Sequence, residues 1–577
     1  MKRARIEPGR GALPGAEPAW RLASAVARWL LAESKDPALA LAGLALAQAE
    51  LAGDSRIDLW QLAATPVAGD DQGRVHPSLT DWLASLTQSA LCGEDGVLVL
   101  VSQRWLYWRR LYRLEQKIGF EIRRRSGLAG TWSAAAIEAA LTQVYGSGEE
   151  LPDDPGHDQR SAVRAALGRS LFVLTGGPGT GKTHTIARLI KAWRVLAGAG
   201  LRVALAAPTG KAARRMSEAL AASAEAIGGA VPESHTLHRL LGWQAGRSAF
   251  RHHEGNPLLL DLLIVDESSM IDLGLMQRLL DALPPSAALV LVGDAEQLAP
   301  VEAGSVFADI DQALALCQHP ARLCLRHNFR AERALAEAAG HIRAGDSAAL
   351  FACMAEHPQQ FSWVPAESTE AALAEWQKAL ADTEALPFDR WCLGEAEATT
   401  EAAFAAFASV RILAAPRQGA GGVLELNPRF ERALRARAER RGWPSPRLPI
   451  MVTENLPALD LANGDIGVSQ SGEFQSACLF PGRDGYRRLP RAALGRIEGA
   501  SVLTVHKAQG SEFDEVWLLL PAADSPLLSR QWLYTAFTRA RRRITLFGTR
   551  AALVQAVLNP KRRESGLAEA CWDEAVA

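Results

Sequence analysis

Gly176-Gly177-Pro178-Gly179-Thr180-Gly181-Lys182-Thr183 carries the clearest chemistry in this chain. A glycine, four residues, then Gly-Lys-Thr is the spacing of a phosphate-binding loop. The glycines let successive backbone N–H groups face phosphate oxygens with no Cβ in the way. A helix opening near Lys182 adds the positive end of its dipole. In that setting Lys182 is expected to neutralise the β- and γ-phosphates of ATP, and Thr183 to hold Mg²⁺. Further on, Leu262-Leu263-Ile264-Val265 runs directly into Asp266 and Glu267. Two carboxylates at the end of an apolar strand lie where open α/β sheets bind ligands. Asp266 is expected to hold Mg²⁺, directly or through water, and Glu267 to orient and activate the attacking water. Gln297 follows the next apolar run and can hydrogen-bond both γ-phosphate and water. Gln159, upstream, is spaced to read an adenine edge, or else is a solvated loop glutamine.

These groups meet only if regular elements deliver them to one edge. Short apolar runs at 171–175, 202–207, 259–265 and 287–292 alternate with helical periodicity at 183–196 and 211–220. That alternation predicts a parallel sheet covered on both faces. A second unit of the same kind is expected from strands at 410–415, 450–453, 501–505, 515–520 and 543–547. Within it, 461–489 is glycine-rich with short alternating runs, which suggests a small β insert. Residues 15–140 read as mostly helical, with periodic stretches at 20–46 and 105–118. The basic and aromatic segment 104–113 either stacks on bases or is an amphipathic helix with core aromatics, and the balance favours the helix. A turn-rich acidic linker at 146–158 marks a boundary, 219–230 reads as a loop, and the charged tail after Asn559 reads as mobile. The resulting division is a helical domain at 1–145, one motor-like domain at 155–345 and another at 346–577, with the β insert at about 455–500.

Composition narrows the class without choosing a partner. The 577 residues, 48% hydrophobic and 22% charged, suit a multidomain globular protein with sizeable cores. A net charge of -1 argues against a broad basic face but leaves room for a narrow basic groove. Arginine outnumbers lysine, so Lys182, Lys211 and Lys507 stand out inside motif-like segments. The seven cysteines are scattered, with no CxxC pair, so neither a disulfide framework nor a zinc site is read. The basic start lacks the apolar stretch of a signal peptide, and the apolar run at 38–52 is too short to span a bilayer; a cytoplasmic location is expected.

Taken in order, the motifs resemble superfamily 1 helicases, and within them the RecD family, the alpha subunits of bacterial RecBCD helicase–nucleases (exodeoxyribonuclease V). The resemblance rests on Gly176-Thr183, Ala207-Pro208-Thr209-Gly210-Lys211-Ala212-Ala213, Thr236-Leu237-His238-Arg239-Leu240-Leu241, Asp266-Glu267-Ser268-Ser269-Met270 and Gly293-Asp294-Ala295-Glu296-Gln297-Leu298. It continues through Asn328-Phe329-Arg330, Asn463-Gly464-Asp465-Ile466-Gly467, Val505-His506-Lys507-Ala508-Gln509-Gly510-Ser511-Glu512-Phe513 and Tyr534-Thr535-Ala536-Phe537-Thr538-Arg539-Ala540-Arg541. It covers about 155–550 closely and the N-terminal region more loosely. It implies two RecA-like domains, with Arg330 and Arg539 as arginine fingers on the γ-phosphoryl group. It implies that Thr209, Lys211, Thr236 and His238 on one domain, and Asn463, Thr504 and His506 on the other, grip single-stranded DNA. It further implies an ATP-dependent 5′ to 3′ helicase subunit, in a heterotrimer with RecB-like and RecC-like chains, acting on DNA ends in double-strand-break repair. Any nuclease activity would belong to a partner chain. The same resemblance makes the polar insertion at 242–257 either a strand-separating hairpin or a connecting loop. Ala508 and Phe537 depart from the common pattern without removing a catalytic group. A free-standing 5′ to 3′ helicase, a regulatory DNA-stimulated ATPase subunit and a P-loop ATPase of another kind are the alternatives.

Overall fold

A computed structural model describes residues 16–572, apart from 71–72, 94, 147–154, 199, 248, 330–331, 382–385, 393–399, 420, 444–445, 470–476 and 483–484. Its centre is a six-stranded sheet in the order Arg322–Leu325, Leu171–Gly176, Ala288–Gly293, Leu262–Val265, Val203–Ala207, Ser234–Thr236, every neighbour parallel. The middle strands are buried on both faces, as short continuous apolar runs require. A second parallel sheet runs Phe361–Pro365, Ala540–Gly548, Phe513–Leu519, Val410–Ala414, Val502–Thr504. The mixed α/β architecture with two helix-flanked parallel sheets is that of a pair of RecA-like units.

One strand expectation changes, and with it the bounds of the β insert. The run expected at 450–453 is Leu448–Val452, and it pairs antiparallel with Ile466–Ser469 and Ile497–Gly499 in a separate five-stranded sheet. It is apolar and buried along its length, so its composition does not distinguish it from a parallel strand. Its place in the second parallel sheet is taken by Phe361–Pro365, an edge strand ending in proline, which pairs on one side only. The β insert therefore begins at Leu448 and ends at Gly499, earlier than the expected start near 455.

The N-terminal region is mainly helical, with a small antiparallel sheet of Arg56–Asp58, Leu98–Val101 and Trp105–Trp108. Trp105–Trp108 is thus a strand, and the helix of that segment is Arg109–Ser126. The aromatics of the segment are structural: Arg56 stacks 3.7 Å over Trp105, and Arg104 lies over the same ring while pairing with Asp58 at 2.7 Å. Leu111, Ile118 and Ile122 of the helix enter the core on one face of the first sheet. Arg125, fully buried, donates to the carbonyls of Ala287, Leu283 and Pro284. The expected loop at 219–230 holds the end of Gly210–Ala221 and a short helix, Ala224–Ile227. The expected linker becomes helical from Pro155 onward, while 147–154 lie outside the described residues.

The described part of the charged tail, to Trp572, is docked on the rest of the chain. After Arg550–Leu558 it crosses back to the first sheet and the N-terminal region. Arg563 donates to the carbonyls of Pro300, Glu302 and Gly304, with Gly304 O at 2.8 Å. Buried Glu115 accepts from Gly566 N at 3.1 Å and from Ser565 Oγ at 2.9 Å. Gly119 is required by this docking, since a Cβ there would sit 2.6 Å from the Ala570 backbone. Charge in the sequence suggested solvent, but Arg563 ends on backbone carbonyls and Glu569 on the Arg56 guanidinium.

Candidate nucleotide site and DNA-facing cleft

The strand Leu171–Gly176 leads into the loop, and the helix Lys182–Ala197 leaves it. Gly179 and Gly181 have φ of +79° and +84°, values that favour glycine. Lys182 Nζ donates to the carbonyls of Gly176 and Gly177 at 2.7 and 2.9 Å, so its ammonium lies over the loop. Gln159 is buried on the helix Pro155–Leu167, and a Cβ on Gly181 would come within 2.3 Å of its Nε2. It is a wall of the loop, not a solvated glutamine.

The next strands bring the carboxylates and the glutamine to the same edge. Asp266 is pushed up to about 6, first by burial and then by Glu267 beside it, while Lys182 pulls the other way. Glu267 holds a φ of +50°, a strained conformation for a residue with a Cβ. Gln297 Nε2 donates to Asp294 at 3.1 Å, and its buried Oε1 meets no donor among the described residues. Asn328 and Phe329 close the loop from the far side, with Asn328 Nδ2 donating to Pro178 O and Phe329 N to Gly179 O. Arg330 lies outside the described residues.

The second unit completes the cleft. Arg539, buried at the end of Arg530–Phe537, donates to the carbonyls of Thr535 and Ser511 at 3.1 Å each. Burial pulls its guanidinium below the ordinary arginine value, against the support of Glu267 and Glu512. Gln159, Lys182, Thr183, Asp266, Glu267, Gln297 and Arg539 all line one cavity of about 870 Å³. Direct contacts join the two units there. Tyr534 donates to Asp294 at 3.0 Å, Leu298 N donates to Thr535 Oγ1, and Gln509 Nε2 donates to Leu298 O. Asp294, Tyr534 and Glu512 stand within the motif segments without an assigned role, and Arg215 stands outside them. The signal for each is a partner in the other unit.

The residues expected to face DNA lie on both units. Thr209 and Thr236 cap the helices that follow two neighbouring parallel strands, their hydroxyl oxygens accepting from Ala212 N and Arg239 N. Thr504 Oγ1 accepts from Lys507 N at 3.3 Å. Each hydroxyl proton remains able to donate to a further partner. His238 and Asn463 are exposed, and burial pulls His506 below its ordinary value. Lys211 is pushed down to about 7, first by burial and then by Arg411 and Arg215. The insertion at 242–257 forms a hairpin of Trp243–Gln244 with Ala249–Phe250, and both rings lie near His238.

Residues 159–303 match the AAA domain family, and 499–547 match the UvrD-like helicase C-terminal domain. The chain is 37% identical to the RecBCD enzyme subunit RecD of Mycobacterium tuberculosis, over 93% of this chain and 92% of that one. The chain belongs to the RecD family. The RecD subunit of Haemophilus influenzae is 31% identical over 89% of each chain. The ATP-dependent RecD2 DNA helicase of Deinococcus radiodurans is 35% identical over 68% of this chain and 49% of its own. A solved Bacteroides Pif1 bound to single-stranded DNA aligns at 16% identity and a TM-score of 0.37, covering 72% of this chain and 95% of that one. Among the described residues, no helix is long and apolar enough to cross a membrane.

Proposed function

We propose that this chain is the ATP-dependent DNA helicase subunit of a RecBCD-type enzyme, moving 5′ to 3′ on a single strand and assembling with RecB-like and RecC-like chains at DNA ends. One observation carries the reading: Arg539 of the second unit and Lys182, Glu267 and Gln297 of the first line a single cleft, in a chain of the RecD family. Nucleotide there is held between two bodies, so its hydrolysis changes how they sit together. In this reading the motors are 155–345 and 346–577, the helical region 1–145 is the partner contact, and the location is cytoplasmic.

The donor set fits MgATP. The positive-φ glycines leave room for phosphate, Lys182 and Arg539 supply positive charge, and Thr183 and Asp266 offer oxygen ligands of the kind Mg²⁺ takes. The metal supplies charge neutralisation on the phosphates. Glu267 orients the attacking water and receives its proton. The buried, unpaired Oε1 of Gln297 holds that water or senses its loss. Lys182 and Arg539, with Arg330 as a second finger, stabilise charge on the transferring group. Thr209, Lys211, Thr236 and His238 hold the strand on one unit, and Asn463, Thr504 and His506 on the other. Contacts to the backbone alone suffice for travel on any sequence.

The test is unwinding of two duplexes, one with a 5′ single-stranded tail and one with a 3′ tail, by the chain alone and with its partner subunits. Unwinding from the 5′ tail, lost in Lys182→Gln with circular dichroism unchanged, is expected. Unwinding from the 3′ tail, or full DNA-stimulated turnover by a folded Lys182→Gln, refutes the assignment.

A further inference from the structure

Arg215 lies on the helix Gly210–Ala221, the same helix that begins at the DNA-facing Thr209 and Lys211. Its guanidinium crosses to the second unit. Nη1 donates to Gly510 O at 3.0 Å and Nη2 pairs with Glu512 at 2.7 Å. Glu512 is nearly buried and also receives Arg541 at 3.1 Å. The segment they hold starts at Thr504 and His506 on the DNA face and ends against the catalytic carboxylates. A Cβ on Gly510 would lie 3.9 Å from Glu267 Oε1 and 3.9 Å from Ala212 Cβ. Arg539 grips the adjacent Ser511 carbonyl. Thus the backbone between the two faces is held by one arginine from each unit, and Glu267 faces it. Burial opposes the Arg215 charge, and Glu512, Glu267 and Asp266 together outweigh it. Arg215, Glu512 and Glu267 line the same cavity, so a second carboxylate, the water-activating one, lies across the cleft from the guanidinium that Glu512 now holds.

We propose that Arg215 is a positioning residue that couples strand engagement to hydrolysis: held by Glu512 and Gly510 it leaves Glu267 free to act on water, and released from them it pairs with Glu267 and disarms it. DNA that seats the 504–512 segment keeps Arg215 on Glu512. When the units part, the carboxylate it turns to is the one hydrolysis needs. This inference rests on Glu267 as the base assigned above.

The experiment measures steady-state ATP turnover by the full chain, with its partner subunits where activity requires them, with and without saturating oligo(dT). Glu512→Gln should lower DNA-stimulated kcat about tenfold, the size of coupling that contacting charges show, with KM for ATP shifted less than about threefold. Adding Arg215→Gln should then restore kcat to within about threefold of the parent, because the guanidinium that would turn to Glu267 is gone. A double variant no faster than Glu512→Gln overturns the proposal. Arg215→Gln alone should raise DNA-free turnover, and an unchanged or lower rate overturns it too, so the test survives if the double variant does not fold. Glu267→Gln in the same assay separates the two levels. Turnover that persists there refutes the site itself. A dead Glu267→Gln with additive Arg215 and Glu512 effects refutes only the coupling.

Discussion

Tyr534→Phe removes one oxygen from the joint between the two units and little else. The ring is 3% exposed, on the helix Arg530–Phe537, and its hydroxyl donates to Asp294 Oδ2 at 3.0 Å across the interface. Burial and the Asp294 charge both raise the phenol well above its ordinary value, so the hydroxyl stays a donor at any working pH. Asp294 keeps two other donors after the change, Gln297 Nε2 and Glu296 N, each at 3.1 Å. The loss is therefore that of one charge-assisted hydrogen bond, about 2 kcal/mol, with neither a cavity nor an unpaired charge left behind. The contact exists only when the units meet, so the whole effect falls on closure, about thirtyfold in the closed-to-open ratio. Because Gln297 and Arg539 reach one cleft only in that state, the apparent KM for ATP should rise by up to this factor while thermal unfolding stays put. Steady-state ATPase with saturating oligo(dT) measures it, and a cycle with Asp294→Asn isolates the pair from Gln297. A KM within twofold of the parent, or a coupling below about 0.5 kcal/mol, refutes the reasoning.

Three further outcomes follow from the same geometry. Lys211, at about 7, is largely neutral above that pH, and a bound phosphate recharges it. Affinity for oligo(dT) should thus fall as pH rises from 7 to 9, by at most about tenfold per unit, and Lys211→Arg should flatten the slope; an equal slope in that variant refutes the contact. Asp266, raised to about 6, holds its proton below that pH. Mg²⁺-dependent turnover should therefore fall about tenfold per unit below pH 6 and recover with added Mg²⁺, and a profile flat to pH 5 refutes metal binding there. Arg563→Ala removes the guanidinium that binds the carbonyls of Pro300, Glu302 and Gly304. Partial exposure limits the loss to about 1–2 kcal/mol, and hydrogen exchange at 298–304 should quicken about tenfold; unchanged protection there shows that the tail does not brace the loop.

The phosphate loop, the Asp266-Glu267 pair and Gln297 were legible in the chain because their chemistry needs contiguous backbone. A strand, a glycine turn and a helix N-terminus must follow one another to cradle phosphate, so the order of residues is the order of parts. The four inner strands of the first sheet were legible for a similar reason, since burial on both faces leaves short apolar runs. Where local pattern is ambiguous it misled. Four residues at Trp105–Trp108 are too few to tell strand from helix by period. Leu448–Val452 is as apolar as a parallel strand yet pairs antiparallel, because the choice of partner lies with Ile466–Ser469 and Ile497–Gly499. The tail after Asn559 looked solvated by composition, and its docking through Arg563 and Gly566 depends on acceptors in 300–304 and on Glu115, far away in sequence.

What required the folded chain is everything that joins one unit to the other. Arg215 meets Glu512 across nearly three hundred residues, and Asp294 meets Tyr534 across two hundred and forty. Periodicity and motif spacing act over one or two turns of chain and carry no information about such pairs. They form because two sheets, each built by local rules, expose complementary charge at the edges where their strands end. The phosphate loop is written in consecutive residues. The means by which one unit senses the other is a property of the interface, and it exists only once both have folded and met.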